Sequence, residues 1–218
     1  MNKKKCFIWA GIMYVLFALL TVLLITVDVT AGGVNGSDIG LSGINLPIKE
    51  ALGTSEIAAA VSEYAAYVGF VVVGLLALWF LIRIVKEKSL GALTKKEYTL
   101  GGLYFVTCVL YFVFGKIVIN YRPIIKWDEE GPESSFPSTH AMLAVVIFGS
   151  FFCIAGDYIK NESFCRLVKI LSVVFAVTII IGRMLSGVHW FTDIVGGIII
   201  AVGLLFTFEG IGEEDYDN

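Results

Sequence analysis

The sequence predicts an all-α integral membrane protein of six transmembrane helices with both termini cytoplasmic, and three observations carry that prediction. Of the 218 residues, 57% are hydrophobic and 16% charged, with a mean hydropathy of +0.85. A soluble domain carries about 25% charged and about 45–50% apolar residues. Six stretches approach the length needed to cross a hydrocarbon core, about 20 residues at about 1.5 Å each. Finally, Lys and Arg divide unevenly between alternate connections, which sets the orientation. The length suits a single membrane domain, 1–218, and no internal repeat is visible. A net charge of −3 and a pI of about 5.4 argue against nucleic acid as a partner.

The first span, 6–27, holds 22 uncharged positions behind Lys3, Lys4 and Lys5. A cleaved signal peptide has an apolar region of only about 7–15 residues, so an uncleaved anchor is expected. Residues 28–63 follow as an extracytoplasmic loop, polar at first and apolar around 46–60, where an interfacial helix is expected. The remaining spans are 64–82, 99–119, 138–156, 167–188 and 189–208. On one side lie Lys3, Lys4, Lys5, Arg83, Lys86, Lys88, Lys95, Lys96, Lys160, Arg166 and Lys169. The other carries Lys49, Lys116, Arg122, Lys126 and Arg183, a split of 11 to 5. Both termini are therefore expected in the cytoplasm. The acidic tail Glu213, Glu214, Asp215 reads as a solvated end.

The last three spans are short of charge-free residues. Their uncharged cores, 141–156, 170–182 and 194–208, hold 16, 13 and 15 residues. The shortest covers about 20 Å of a core about 30 Å thick. The missing length must come from neighbours carrying His140, Arg183, His189 and Asp193, all at the extracytoplasmic end. Ionisable groups at that depth cost about 2.5–3.5 kcal/mol each on insertion scales and face the bundle interior, where they serve a function. The only two histidines of the chain are in this group.

Three segments make up the polar constellation: Lys116 to Arg122-Pro123, then Ser135-Phe-Pro-Ser138-Thr139-His140, then Arg183 through His189 to Asp193. His189 and Asp193, four apart, would share a helix face, and a carboxylate on one imidazole nitrogen leaves the other as nucleophile or base. Ser186-Gly187 offers a break that would let Arg183 and His189 both point inward. Pro137 suits the first turn of span four, with Ser138 and nearby N–H groups facing an anion at the helix start. Guanidinium forks match phosphate oxygens, and Lys116 would act as a point charge. Cations for a phosphoryl group, an oriented nucleophile and a second histidine as acid form a phosphatase site.

These segments resemble the three motifs of the type-2 phosphatidic acid phosphatase superfamily, membrane lipid phosphatases related in core to the vanadium haloperoxidases. The family pattern is Lys, six residues, Arg-Pro; Pro-Ser-Gly-His; and Ser-Arg, five residues, His, three residues, Asp. The resemblance covers about 99–208, which would be the phosphatase core of spans 3–6. It implies that His189 attacks phosphorus and becomes a phosphohistidine, that Asp193 orients it, and that His140 protonates the leaving oxygen. It further implies that Lys116, Arg122, Ser138, Thr139 and Arg183 hold the phosphoryl oxygens. No metal or cofactor is implied; the substrates implied are phosphatidic acid, phosphatidylglycerol phosphate or polyprenyl diphosphates, at the plasma membrane. This sequence departs from the pattern in three places. Lys116 stands one residue too close to Arg122, Thr139 replaces a glycine, and Gly182 replaces the serine before Arg183.

Other features have plainer readings. The four cysteines read as small apolar filler. Trp79 and Trp190 read as interfacial anchors, and Arg83, Lys86, Lys88, Lys95 and Lys96 as the orientation signal on a solvated loop. Gly197 and Ala201 form a small-residue packing pair, and Asp128, Glu129, Glu130 and Glu133 an acidic loop. Axial haem ligation by two histidines would leave Arg122, Arg183 and Asp193 without a role. The expected function is hydrolysis of a lipid phosphate or diphosphate at the extracytoplasmic face. The alternative is a non-catalytic lipid-phosphate binder or a transporter on the same fold.

Overall fold

A computed structural model describes residues 2–125, 131 and 133–213. Lys126, Asp128, Glu129, Glu130, Glu214 and Asp215 lie outside the described residues. Among the described residues seven α-helices follow in order and there is no strand, only two isolated bridges. Six of the helices are long and apolar enough to cross a membrane. The chain is an all-helical, multi-pass membrane protein.

Helix α1, Lys3–Thr26, starts where the Asn2 side chain accepts from the Lys4 amide at 2.9 Å. Past it the chain doubles back through a bridge between Thr30 and Ile39, held by two backbone hydrogen bonds of 2.9 and 3.1 Å. The Asp28 carboxylate clamps this turn, accepting from the Gly43 amide at 2.5 Å and the Ser42 hydroxyl at 3.0 Å. Short helix α2, Ser42–Leu52, lies within the 28–63 segment. Ser55 then caps α3, Glu56–Glu87, which begins eight residues before the apolar run that marks it in sequence. The alanines at 58–60 favour helix, so the helix extends into its polar end.

Helix α4, Lys95–Lys116, opens with a reciprocal capping box between Thr94 and Glu97. Ser138 caps α5, Thr139–Tyr158, and Asn161 caps α6, Glu162–Leu185. Helix α7, Phe191–Gly212, follows Trp190. Helices α5 and α7 are central, with half of their apolar windows buried against 17% or less for the other spans. Leu100, Leu103, Met142, Val146, Ala201, Leu204 and Phe208 form the core between α4, α5 and α7. A second cluster, Ala65, Ala144, Ile147, Phe148 and Ile179, joins α3, α5 and α6. Close crossing at Gly197 brings α7 within 2.5 Å, from an imagined Cβ, of the Ser138 carbonyl at the start of α5.

Several bland sequence readings change. Trp190 is no membrane anchor: it is 3% exposed, and its indole N–H donates to the Tyr121 carbonyl at 2.6 Å. Its apolar ring and single donor fit a buried pocket with one acceptor. Arg83 does more than mark orientation. Its guanidinium pairs with the buried Glu97 at 2.5 Å, donates to the Ala92 carbonyl and covers the Trp79 ring at 5.0 Å. Lys96 pairs with Asp157 at 2.8 Å. Cys6 is buried as filler, whereas Cys108 is exposed on the outside of its helix.

Candidate active site

Four helix ends meet at the end of the bundle opposite the Arg83–Glu97 pair: the C-termini of α4 and α6 and the N-termini of α5 and α7. Backbone hydrogen bonds bind the three motif segments together. Residues 120–122 run antiparallel to 133–135, with Arg122 N donating to Glu133 O at 3.0 Å and Ser135 N to Asn120 O at 2.9 Å. Ser138 N donates to the Asp193 carbonyl at 2.9 Å, tying the start of α5 to the first turn of α7.

Helix α6 ends at Leu185, and Gly187 takes a φ of +71°, which reverses the chain toward α7. A Cβ there would lie 2.5 Å from the Thr54 methyl and 3.0 Å from Gly53 O. Against this turn packs the half-buried Lys49 of α2, whose ammonium donates to Gly53 O at 3.0 Å and whose pKa burial lowers. The break lets Arg183 and His189 reach the same interior, both nearly fully buried, at 6% and 4% exposure.

His189 is not on a helix, contrary to the shared-face expectation. It precedes α7 by two residues, and Asp193 sits in the first turn, so the pair meets across a helix start. His189 Nδ1 lies 3.1 Å from the Ser135 carbonyl and 3.6 Å from Asp193 Oδ2. A carbonyl only accepts, so Nδ1 carries the proton and Nε2 the lone pair. The Asp193 carboxylate also accepts from the Trp190 amide at 2.8 Å, and the Ser135 and Asn120 side chains flank it. It is fully buried.

Arg183 has a buried Nε with no hydrogen-bond partner among the described residues, although buried polar groups are as a rule bonded. Arg122 lies within electrostatic range of it. The Arg122 Nε is held by Glu133 at 3.0 Å and by the Ser134 carbonyl at 3.4 Å, which leaves the terminal nitrogens to point elsewhere. Ser138 is the N-cap of α5, and its hydroxyl accepts from Ala141 N at 3.4 Å; Pro137 stands two residues before the helix rather than in its first turn as expected. Thr139 takes the first helical position, where no positive φ is needed, so a β-branched residue fits without strain. Lys116 is the last residue of α4 and exposed, and it does not line the cavity described next.

Beneath His140 and Arg183 lies a cavity of about 230 Å³ between α3, α4, α5 and α6, against the ~30 Å³ share of one liquid water. Leu143, Ala144, Ile147 and Phe148 make its apolar wall, and Glu63, Tyr67 and Tyr111 its polar rim. Glu63 was not foreseen, because it stands one residue outside the apolar run and looks like a flanking charge. Asn45 also escaped notice. It is fully buried; its amide donates to Gly40 O at 2.8 Å and Thr192 Oγ1 at 2.9 Å, and its carbonyl accepts from Thr192 N at 3.2 Å. Asn45 thereby caps α7 from another helix, one residue before Asp193. The only hint was an Asn within the apolar run 44–48.

Fold and site together define a multi-pass membrane protein with a buried His/Arg/Asp cluster at converging helix ends. The chain belongs to the PAP2 superfamily, which it matches over residues 98–209, just over half its length. A curated relative, phosphatidylglycerophosphatase B of Bacillus subtilis (strain 168), is 34% identical over 84 residues; the match spans 37% of this chain and 40% of the relative. The fold is similar to a crystal structure of a transmembrane PAP2 type phosphatidylglycerolphosphate phosphatase from Bacillus subtilis. That likeness has a TM-score of 0.60 at 20% identity, over 92% of this chain and 94% of the other.

Proposed function

We propose that this protein is a lipid phosphate phosphatase working through a phosphohistidine at the extracytoplasmic face of the plasma membrane. The observation that carries the reading is His189: a buried imidazole with Nδ1–H held by the Ser135 carbonyl at 3.1 Å and Asp193 at 3.6 Å. Its Nε2 then has the lone pair for attack on phosphorus. As the P–N bond forms, the P–O bond to the lipid breaks and His140 gives its proton to the leaving oxygen. Water, deprotonated by the same imidazole, then cleaves the phosphohistidine and releases phosphate. Arg183, Arg122, Ser138 and the N–H groups opening α5 hold the phosphoryl oxygens in this scheme. Asp193 and the Ser135 carbonyl keep the attacking tautomer. Lys116, exposed at the end of α4, contributes at most long-range attraction.

The apolar wall of the cavity supports a substrate whose tail stays among hydrocarbon chains, and the named relatives make phosphatidylglycerol phosphate the first candidate. The orientation rests on the 11 to 5 division of Lys and Arg. In this reading residues 99–208 are the catalytic core and α2 lies at the outer interface. The test is phosphate release by purified protein and by His189→Ala, with chelator present, on phosphatidic acid, phosphatidylglycerol phosphate and a polyprenyl diphosphate. Turnover by the parent alone is expected. Activity surviving in His189→Ala refutes the nucleophile, and binding without turnover by the parent means a lipid-phosphate binder.

A further inference from the structure

Glu63 is an odd residue to find at a phosphate site. It lines the same cavity as His140 and Arg183, on the opposite wall formed by α3. Its carboxylate is held one helical turn along by the Tyr67 hydroxyl, which donates at 2.8 Å. Arg183 feels the Glu63 charge more than that of any other residue. The two form no ion pair within 4 Å among the described residues, and both line the cavity. A group occupying that cavity therefore meets the Glu63 carboxylate at its rim.

The position of His140 says which group that is. In the proposed mechanism His140 protonates the leaving oxygen, so the atoms beyond that oxygen fill the cavity His140 shares with Glu63. For a phosphate monoester those atoms are the carbons of an alcohol. For a diphosphate they are a second, anionic phosphate. We infer that Glu63, held by Tyr67, sets leaving-group specificity by rejecting diphosphates and favouring lipid phosphate monoesters. This rests on the phosphatase reading above. Two like unit charges about 6 Å apart, at an effective dielectric of about 20, shift an equilibrium roughly 100-fold. Glu63 is exposed at the rim, and screening there brings the expected discrimination down to about tenfold.

The test uses a matched pair, a prenyl monophosphate and the diphosphate of the same prenyl alcohol, so that tail and cavity wall are constant. kcat/KM is measured for both with the full-length parent, Glu63→Gln and Tyr67→Phe in detergent micelles. Glu63→Gln should raise the diphosphate-to-monophosphate ratio about tenfold. Tyr67→Phe, which frees the carboxylate without removing it, should raise the ratio less. If Glu63 only balances the charge of Arg183, Glu63→Gln will change both substrates by the same factor; an unchanged ratio overturns the inference. Parent protein inactive on both substrates refutes the phosphatase reading itself, which is a separate outcome.

Discussion

Gly182 stands where the related motif has a serine, and two explanations of that difference can be separated by putting the serine back. One holds that the site has lost a hydroxyl donor; the other, that α3 leaves no room for a side chain. A Cβ on Gly182 would sit 2.7 Å from Ser62 Cβ and 2.9 Å from the Ala58 carbonyl oxygen, whereas carbon contacts are optimal at about 3.5–4.0 Å. The Ala58 oxygen is backbone, so relief requires α3 and α6 to part by most of an ångström. Overpacking of this kind costs about 1–3 kcal/mol, and replacing a helical glycine by serine returns about 0.5 kcal/mol. The net loss should be roughly 0.5–2.5 kcal/mol. For a chain of this size each kcal/mol lowers Tm by about 2–4 °C, so Gly182→Ser should melt roughly 1–10 °C lower in detergent. Parting α3 from α6 also shifts Arg183, the next residue, and a displacement near 1 Å can lower rate by up to about 100-fold. Thermal unfolding and phosphate release are measured on Gly182→Ser and Gly182→Ala, which carry the same Cβ. Both should lose stability and activity together. A serine variant with parent-like Tm and higher kcat/KM, alongside an impaired alanine variant, would refute the packing argument and restore the missing-donor one.

Two further outcomes test the supports of the site. Asn45→Ala leaves the Thr192 amide and the Gly40 carbonyl without partners in a buried place, at about 1–3 kcal/mol for each group; kcat should fall more than KM rises, because the first turn of α7 carries Asp193. Asn45→Asp, which keeps the acceptor for Thr192 N, should recover part of kcat, and equal loss in both variants would deny Asn45 that role. Arg183→Ala should lower kcat/KM by at least about 100-fold, the scale of removing a transition-state donor, whereas Lys116→Ala should cost less than about threefold; steady-state kinetics in the reverse order would bring Lys116 into the phosphate site.

The spans were legible because lipid demands unbroken apolar runs, and α1 and α4 to α7 fall within five residues of their expected limits. Helix ends were less so: Glu56–Glu63 is helical but polar enough to read as loop, which also hid Glu63. Arg122, Arg183, His189 and Asp193 stood out because ionisable groups at that depth have few bland explanations, and Ser138 through its place at a helix start; the structure brings them to one end of the bundle. Their mutual geometry was not legible. The four-residue spacing of His189 and Asp193 suggested one shared helix face, but Gly187 and Trp190 place a helix start between them, and the closest acceptor for Nδ1 is a backbone carbonyl 54 residues away. Side-chain patterns carry no information about which carbonyl a fold will present. Trp190 misled for a similar reason, since its partner, the Tyr121 carbonyl, is also backbone.

That prevalence of backbone partners sorts the motif departures. The three segments are bound by main-chain hydrogen bonds at Arg122–Glu133, Asn120–Ser135 and Ser138–Asp193, which any residue except proline at the donor position can make. A side chain that takes no part in that framework can change freely: Lys116 is exposed, and Thr139 occupies an ordinary helical position with its side chain half-buried. Gly187 and Gly197 are another matter, because at each an added Cβ would meet backbone atoms within 3.0 Å, and Gly182 meets α3 in the same way. The pattern at 182 therefore reflects how closely α3 approaches α6 in this chain rather than the chemistry of phosphate binding. Since α3 also supplies Glu63 and Tyr67 to the cavity, the same close approach that excludes a serine brings the carboxylate to face Arg183. On the proposed role of Glu63, packing and specificity at this site follow from one helix–helix distance.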